Sequence, residues 1–297
     1  MNYVHLFQYM NNFINKFFIR KTFLLLIIIV LNSCAVNNKM MVGSEVAEIA
    51  LPLSFESQKR KIQNNPNNQL FYLNASKSRI TYAYGILMEK GDRLMYSDYY
   101  KSRDYYSKSL DLFVISRNYL LNALEVKYEN FTQRMRNREE IVFEKEDIDY
   151  LYWLSGSLAG SIQASQGDPQ YLIDLPNIKW LLENAIAVDP NWQNGTLSAA
   201  MMSVYLNDLS GDKNAQKTAL FYFDLAEKQS NGLNASIYVT LAENYAVSKQ
   251  DKKLFVELLD KAIKIDVNKE KSLKQSNKLS QSRAKWLKSR VDDLFYM

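Results

Sequence analysis

The sequence predicts an all-α fold, a tetratricopeptide-like stack of helical hairpins (an α-solenoid) that follows a signal peptide. The chain contains only 9 glycines and 5 prolines in 297 residues, so few positions interrupt a helix. From about residue 76 onward, apolar residues recur at steps of three and four, the spacing of one helix face. A small residue also returns at matching places, Ala185, Ala226 and Ala262, which is typical of helix–turn–helix repeats.

Residues 1–33 are predicted to form a lipoprotein signal peptide. Lys16, Arg20 and Lys21 precede an unbroken apolar run over residues 23–31. Because a membrane-spanning helix needs about 20 apolar residues, this short run indicates a secretory signal. Removal of the segment lowers the formal net charge from +5 to +2, so the basic character of the chain belongs partly to its signal.

The apolar run ends at Leu31-Asn32-Ser33-Cys34-Ala35, which resembles the lipobox of bacterial lipoproteins. The resemblance implies cleavage before Cys34, a diacylglycerol on its sulfur and an N-acyl chain such as palmitate. Several acyl chains anchor a protein stably, whereas one does not. Ala35, which stands where Asp would otherwise follow the cysteine, resembles lipoproteins sent to the outer membrane. We therefore expect a bacterial cell-envelope protein, lipid-anchored and facing the periplasm, with no other cofactor.

A tether and a helical domain are predicted after the signal. Residues 34–75 are rich in asparagine and form the lipidated tether and approach segment, with a small helix over 46–53. The helical domain covers residues 76–297. Its first helix begins at residue 76, and Gly91-Asp92 is predicted to end it.

The next elements follow from uninterrupted periodicity and then from charge. A long helix is predicted over residues 99–128, which contain no breaker. Residues 129–146 are highly charged, and we predict a solvated loop or a helix end there. The following helix covers residues 149–166 and ends at Gly167-Asp168-Pro169.

Turn formers and caps separate the remaining helices. Pro176 lies in a first turn, where its missing N–H costs nothing. Asp251 is a good N-cap because its carboxylate can accept from a free backbone N–H. On this basis, helices are predicted over residues 175–188, 195–209, 214–229, 235–247, 251–265 and 272–295.

Composition excludes several classes of site. The sequence contains a single histidine, His5, and a single cysteine, Cys34. Zinc sites built on Cys or His, disulfides, Ser-His-Asp triads and cysteine nucleophiles are therefore excluded downstream of Cys34. Lysines and arginines alternate with acidic residues, which is typical of solvated helix faces. We find no basic stripe of the kind that marks nucleic-acid binding.

Several segments in a fixed order resemble the T-component lipoproteins of tripartite ATP-independent periplasmic (TRAP) transporter systems. The resemblance is clearest over residues 148–297 and weaker over 76–128. The segments that carry it are Leu151-Tyr-Trp-Leu154, Leu175-Pro176, Leu182-Glu-Asn-Ala-Ile-Ala-Val-Asp-Pro190, Trp192-Gln-Asn-Gly195, Tyr238-Val-Thr-Leu-Ala-Glu243, Lys249-Gln-Asp251, Arg283-Ala-Lys-Trp286 and Asp292-Asp-Leu-Phe295.

The resemblance implies a non-enzymatic transport accessory of tetratricopeptide-like repeats. It implies docking of a periplasmic solute-binding protein, a pore or deep pocket for a small hydrophobic ligand, and the ability to form homotrimers. No nucleic-acid partner is expected. Candidate pocket-lining or ligand-binding residues lie in these segments or between them, with ordinary core packing, capping or internal hydrogen bonding as the alternative for each: Tyr152, Trp153, Trp192, Asn194, Tyr205, Tyr238 and Glu243.

Two further hypotheses remain open at this point. Stacks of this kind mostly bind proteins, so the chain could be a general scaffold lipoprotein whose concave surface binds envelope proteins or peptides. It could also be an envelope hydrolase that uses paired carboxylates, which requires two facing acids. Neighbours in a helical sequence, such as Glu139-Glu140 and Asp292-Asp293, do not face each other, and no phosphate-cradling glycine loop is present.

Overall fold

The fold is known from a computed structural model, which describes residues 43–208 and 212–295. All regular elements in these ranges are helical, which confirms the predicted fold class. The predicted signal peptide and the lipidation site Cys34 lie outside the described residues. The α-helices are α1 (Gly43–Asn64), α2 (Gln69–Tyr82), α3 (Glu89–Leu94), α4 (Tyr99–Lys127), α5 (Phe131–Asn137), α6 (Ile148–Ala164), α7 (Pro169–Leu172), α8 (Leu175–Val188), α9 (Thr196–Leu206), α10 (Ala215–Gln229), α11 (Ala235–Leu241), α12 (Lys252–Lys264), α13 (Lys274–Lys288) and α14 (Val291–Leu294).

Short irregular helices join some of these elements. A π-helical segment, Ala83–Met88, makes α2 and α3 continuous, and a second one, Ala242–Ala246, extends α11. A single 3₁₀ turn, Lys145–Asp147, leads into α6. None of the helices in the described ranges combines the length and the apolar character that a membrane span requires.

Helices that are close in sequence pack on one another. Helix α1 lies on α2, α2 on α4, α4 on α6 and α6 on α8, and the same order continues through α9–α10 and α11–α13. The order of contacts is compatible with the predicted stack of hairpins. Two large buried clusters result in the described residues, one around Phe113 and Trp153 and the other around Tyr238 and Phe255.

The repeated alanines lie in this core. Ala185, Ala226 and Ala262 are all 0% exposed, on α8, α10 and α12. A side chain of one carbon allows neighbouring helices to approach closely, as the repeat pattern predicted. The predicted long helix over 99–128 is also confirmed, as α4, and Pro176 lies in the first turn of α8.

Helix α12 has the predicted N-cap. The carboxylate of Asp251 accepts a hydrogen bond from the backbone N–H of Leu254, 2.9 Å away. We expect Asp251→Ala to lower the free energy of unfolding by about 1 kcal/mol, because that N–H loses its partner. Chemical denaturation measures the change, and Asp251→Asn, which keeps an acceptor, should lose much less. An equal loss in both variants would contradict the capping role.

The predicted stop at Gly91-Asp92 is wrong, because α3 continues through both residues to Leu94. Gly91 is required there by packing. A Cβ at this position would lie 2.9 Å from Cε2 of Tyr106, so the glycine lets α4 approach the helix closely. A glycine that serves close packing and one that ends a helix look the same in sequence.

Residues 129–146 are more ordered than the predicted solvated segment. They contain α5 and contribute buried side chains that pack against α4, α6 and α8. Charged residues dominate the composition of this segment, so the sequence did not indicate that the apolar residues between them are buried. The core residues of this segment are Phe131, Met135, Ile141 and Phe143.

The helical part of the chain also begins earlier than predicted. Helix α1 covers Gly43–Asn64, well beyond the small helix expected over 46–53, and residue 76 lies inside α2. The guanidinium of Arg79 holds α1 in place. It donates to Oε1 of Gln58 at 2.8 Å and to the carbonyl oxygen of Phe55 at 3.0 Å. Helix α1 therefore belongs to the packed array.

Candidate functional site

A buried group of charged side chains joins the N-terminal helices to the C-terminal ones. We call it the Arg283 cluster, and it consists of Arg283, Glu243, Glu89, Asp92 and Tyr106. Arg283 lies on α13, Glu243 in the second π-helical segment, Glu89 and Asp92 on α3, and Tyr106 on α4. The cluster thus connects the neighbouring helices α3 and α4 to two segments that are distant from them in sequence.

Arg283 uses all of its donor nitrogens within the cluster. Nε and Nη2 donate to the two carboxylate oxygens of Glu243, at 2.9 and 2.7 Å. Nη1 donates to Oε1 of Glu89 at 2.5 Å and to Oδ2 of Asp92 at 2.8 Å. The hydroxyl of Tyr106 donates to the other oxygen of Asp92. Such paired, charge-assisted contacts are the strong class of hydrogen bond.

Burial makes the electrostatics of the cluster unusual. The side chains of Arg283, Asp92 and Glu243 are 4%, 6% and 12% exposed. Burial raises the pKa of Asp92 and of Glu243 above the usual carboxyl range, although Arg283 opposes the rise. Burial lowers the pKa of Arg283, but the carboxylates of Glu243, Glu89 and Asp92 outweigh it and raise that pKa well above its usual value. Arg283 is therefore the cation that favours the ionised form of these acids.

Both π-helical segments adjoin this cluster. Glu243 lies within Ala242–Ala246, and Glu89 follows directly after Ala83–Met88. A π turn adds a residue to the helical repeat and rotates the residues that follow, and such turns occur often at functional sites. Here they stand beside two of the carboxylates that meet Arg283. This arrangement marks the junction as the candidate functional site.

The predicted aromatic site residues Tyr152, Trp153 and Tyr238 lie in the core. They are 1%, 1% and 0% exposed. The ring centroid of Tyr152 is 5.1 Å from that of Trp192, which is half-buried. The hydroxyl of Tyr238 donates to Oε1 of Glu227 at 2.7 Å. Packing accounts for these contacts, and a role in lining a pocket stays a prediction.

Trp192 and Asn194 belong to a tight loop between α8 and α9. Gln193, Asn194 and Gly195 have φ values of 47°, 55° and 83°, so three consecutive residues are left-handed. For the two residues with side chains this conformation is strained, and strain of this kind accumulates at functional sites. Nδ2 of Asn194 donates to the hydroxyl of Ser272, 3.1 Å away, which ties the loop to the start of α13.

Tyr205 lies apart from the other predicted residues, at the end of α9. Its ring stacks on that of Tyr222 with centroids 5.8 Å apart, and the ammonium of Lys179 lies 5.0 Å from the Tyr205 ring centroid. The structure thus brings Tyr152 together with Trp153 and Trp192. Tyr205, Tyr238 and Glu243 lie in separate environments.

The contacts of the Arg283 cluster indicate a structural role, in which the cluster holds helices together. Each carboxylate of the Arg283 cluster already accepts a hydrogen bond, and Glu89 also meets Arg93 at 3.3 Å. In the described ranges, no group of histidine, cysteine and acidic side chains is arranged to hold a metal ion. Of the predicted residues, only Glu243 belongs to this cluster. Arg283 stands in one of the quoted family-like segments, but no sequence signal paired it with Glu89 and Asp92.

Comparison with known proteins identifies the family. Residues 44–295 match the family model described as TRAP transporter T-component. The chain is also 22% identical over 253 residues to a protein of Treponema pallidum (strain Nichols) that is described as uncharacterized. That alignment covers 83% of this chain and 78% of the relative. Because the family model spans nearly all of the described residues, the chain belongs to the TRAP transporter T-component family.

Proposed function

We propose that this protein is an envelope lipoprotein that serves a TRAP-type solute transport system by binding its periplasmic solute-binding protein. The family match over residues 44–295 carries the proposal. The Arg283 cluster supports it, because buried contacts that link early helices to late ones can hold a fixed surface for a partner. The proposed protein is a non-enzymatic accessory, which agrees with a site whose carboxylates are all engaged.

Co-purification tests the proposed partnership. The protein is extracted from membranes in mild detergent, and the solute-binding subunit of the same transport system is the probe. We expect the two proteins to elute together and the complex to re-form from the purified components. An unrelated lipoprotein from the same membranes is the control. Failure of the purified proteins to associate at micromolar concentration would refute the proposed partnership.

The proposed anchor makes a separate prediction. Cys34→Ala removes the sulfur that would carry diacylglycerol, so the anchor is lost. We expect the variant to leave the outer-membrane fraction and to lack the mass of the lipid. Fractionation followed by immunoblotting and mass spectrometry measures both effects. Ser33→Ala, which keeps a small residue before the cysteine, should stay anchored. Unchanged membrane retention of Cys34→Ala would contradict the anchor.

A hydrophobic ligand held inside the chain is a second candidate function. The contact between Trp192 and Tyr152, next to a strained loop, favours it, because aromatic walls are common in ligand pockets. Native mass spectrometry of the purified protein should then reveal a bound small molecule, and Trp192→Ala should lose it. The same experiment reports the mass of the assembly and so tests the proposed homotrimer. A protein free of ligand in both forms would count against this candidate.

A further inference from the structure

One exposed side of α13 is strongly basic. Residues 264–290 contain nine lysines and arginines but only two acidic residues. Lys278 and Lys285 are both exposed and seven positions apart, so they lie on the same side of the helix, two turns from each other. The expectation that basic residues simply alternate with acidic ones does not hold for this helix.

A third cation joins the two lysines. Ser282 stands between them on the same side of α13, and Nη2 of Arg93 lies 3.5 Å from its hydroxyl oxygen. The guanidinium of Arg93 also lies 5.4 Å from the ring centroid of Trp286. Arg93 of α3 therefore lies against this side of α13. We call Lys278, Lys285 and Arg93 the basic face.

The charge of the basic face is largely uncompensated. Within the part of the chain that the structure describes, neither Lys278 nor Lys285 forms an ion pair. Arg93 meets Glu89 at 3.3 Å, and three carboxylates around α13 are paired with basic residues outside this face. Asp260 meets Lys288 at 2.5 Å, Asp293 meets Arg290 at 2.6 Å, and Glu89 meets Arg283 at 2.5 Å. An external anionic surface would supply the missing counter-charge.

Exposed apolar and aromatic side chains border the basic face. Leu279 on α13 is 39% exposed, and its Cδ1 would touch a Cβ placed on Gly85. Tyr96, at the end of α3, is 64% exposed, and the guanidinium of Arg290 lies 4.8 Å from its ring centroid. Tyrosine is enriched where proteins meet the interfacial region of a bilayer.

The described chain also begins near this face. Glu48 in α1 pairs with Lys90, which lies on α3 three residues before Arg93 of the basic face. Gly43, where α1 starts, is nine residues after Cys34. An extended chain of that length spans about 30 Å at most. A lipid on Cys34 would therefore keep this side of the molecule close to the membrane.

We propose that the basic face lies against the anionic lipid headgroups of the membrane to which the protein is anchored. Each lysine near such a surface contributes about 1 kcal/mol, and the exposed ring of Tyr96 suits the headgroup region. The tether length favours a lipid surface over an acidic protein, since it limits how far this side can turn from the bilayer. The inference uses the proposed anchor but is independent of the proposed transport role.

Vesicle flotation tests the inference with full-length protein. The Cys34→Ala chain, which carries no lipid, is mixed with phosphatidylcholine vesicles and with vesicles that also contain phosphatidylglycerol. We expect the phosphatidylglycerol to increase binding and high salt to remove the increase. The double variant Lys278→Glu and Lys285→Glu should lower the partition coefficient on anionic vesicles by about thirtyfold or more, because loss of two lysines alone supplies that factor and the new carboxylates add repulsion. Binding to neutral vesicles through the apolar segment over residues 23–31 should not change.

A matched control separates a specific surface from net charge. Lys213 lies just before α10 and Lys217 lies on it. Both are exposed, and neither forms an ion pair in the described ranges. Reversal of this pair changes the net charge equally but should leave binding to anionic vesicles almost intact. An equal loss in both double variants would overturn the inference. So would an α13 variant that floats like its parent but no longer binds the solute-binding protein, since that would identify a protein partner.

Discussion

Replacement of Arg283 by methionine should lower the free energy of unfolding by about 3–5 kcal/mol. Removal of one partner of a buried ion pair leaves the other charges buried and uncompensated, which is the costly case. Here Glu243 and Asp92 would both lose their cation. Methionine keeps the apolar volume of the side chain, so little of the loss would come from a cavity. Urea denaturation followed by circular dichroism measures the change.

Further variants show whether uncompensated charge is the cause. Arg283→Met combined with Glu243→Gln and Asp92→Asn removes both acids, and should recover much of the stability. Replacement of Lys288 by Met, on the exposed part of the same helix, should change the stability by less than about 1 kcal/mol. If the triple variant were as unstable as Arg283→Met, packing and not charge would explain the loss.

The effect of Arg283→Met should depend on pH. Burial raises the pKa of Asp92 and Glu243, and loss of Arg283 removes the charge that opposes the rise. A group whose pKa is higher in the folded state stabilises that state at low pH, and the contribution is lost as pH rises through the folded pKa. The deficit of the variant should thus be small in mildly acidic buffer and largest at neutral pH. A deficit that is constant across this range would contradict the assignment.

Trp153→Ala should also cost about 3–5 kcal/mol of unfolding free energy, the usual cost when a large aromatic side chain is removed from a core. The indole is 1% exposed, its ring centroid lies 5.7 Å from that of Tyr152, and the ammonium of Lys77 is 5.7 Å from it. Thermal and urea denaturation measure the loss. Tyr100→Ala is the control, because this ring is 86% exposed and its removal should matter by less than about 0.5 kcal/mol.

This prediction also separates the two roles considered for Trp153. Truncation of a core residue lowers the stability of the protein whether or not a ligand is present. Truncation of a residue that lines a ligand pocket abolishes ligand binding but leaves most of the stability of the free protein. Unchanged stability of Trp153→Ala, together with loss of a bound small molecule, would therefore assign the indole to a pocket.

Local signals predicted most of the helices, because periodicity and capping act within a few residues. The long helix α4, the first-turn Pro176 and the Asp251 cap all follow from neighbours in sequence. Segments with mixed signals were harder. Phe131 and Met135 lie in the core although charged residues surround them in sequence, because one face of a short helix is enough to bury two side chains.

The candidate site depends on contacts that no local pattern encodes. Glu243 was a predicted site residue, but its partner Arg283 is 40 positions away, and Asp92 is further still. Gly91 illustrates the same limit. A glycine is needed there because the ring of Tyr106 on the next helix leaves no room for a side chain. A one-dimensional pattern can place an acid on a helix, but the π turn in that helix and the packing of α13 decide which side chains the acid contacts.

The separation of Glu89 and Arg283 has a consequence for how the molecule matures. Their contact joins residues 194 positions apart, whereas most other helix pairs are formed by neighbours in sequence. Neighbouring hairpins can assemble rapidly, but distant contacts pay a larger loop-closure entropy and slow the search for the native state. A chain that crosses a membrane in extended form would acquire its early hairpins first and its final closure only after α13 emerges. A nascent chain that ends before α13 would leave Glu89, Asp92 and Glu243 without the charge of Arg283. Such a chain would remain susceptible to proteases.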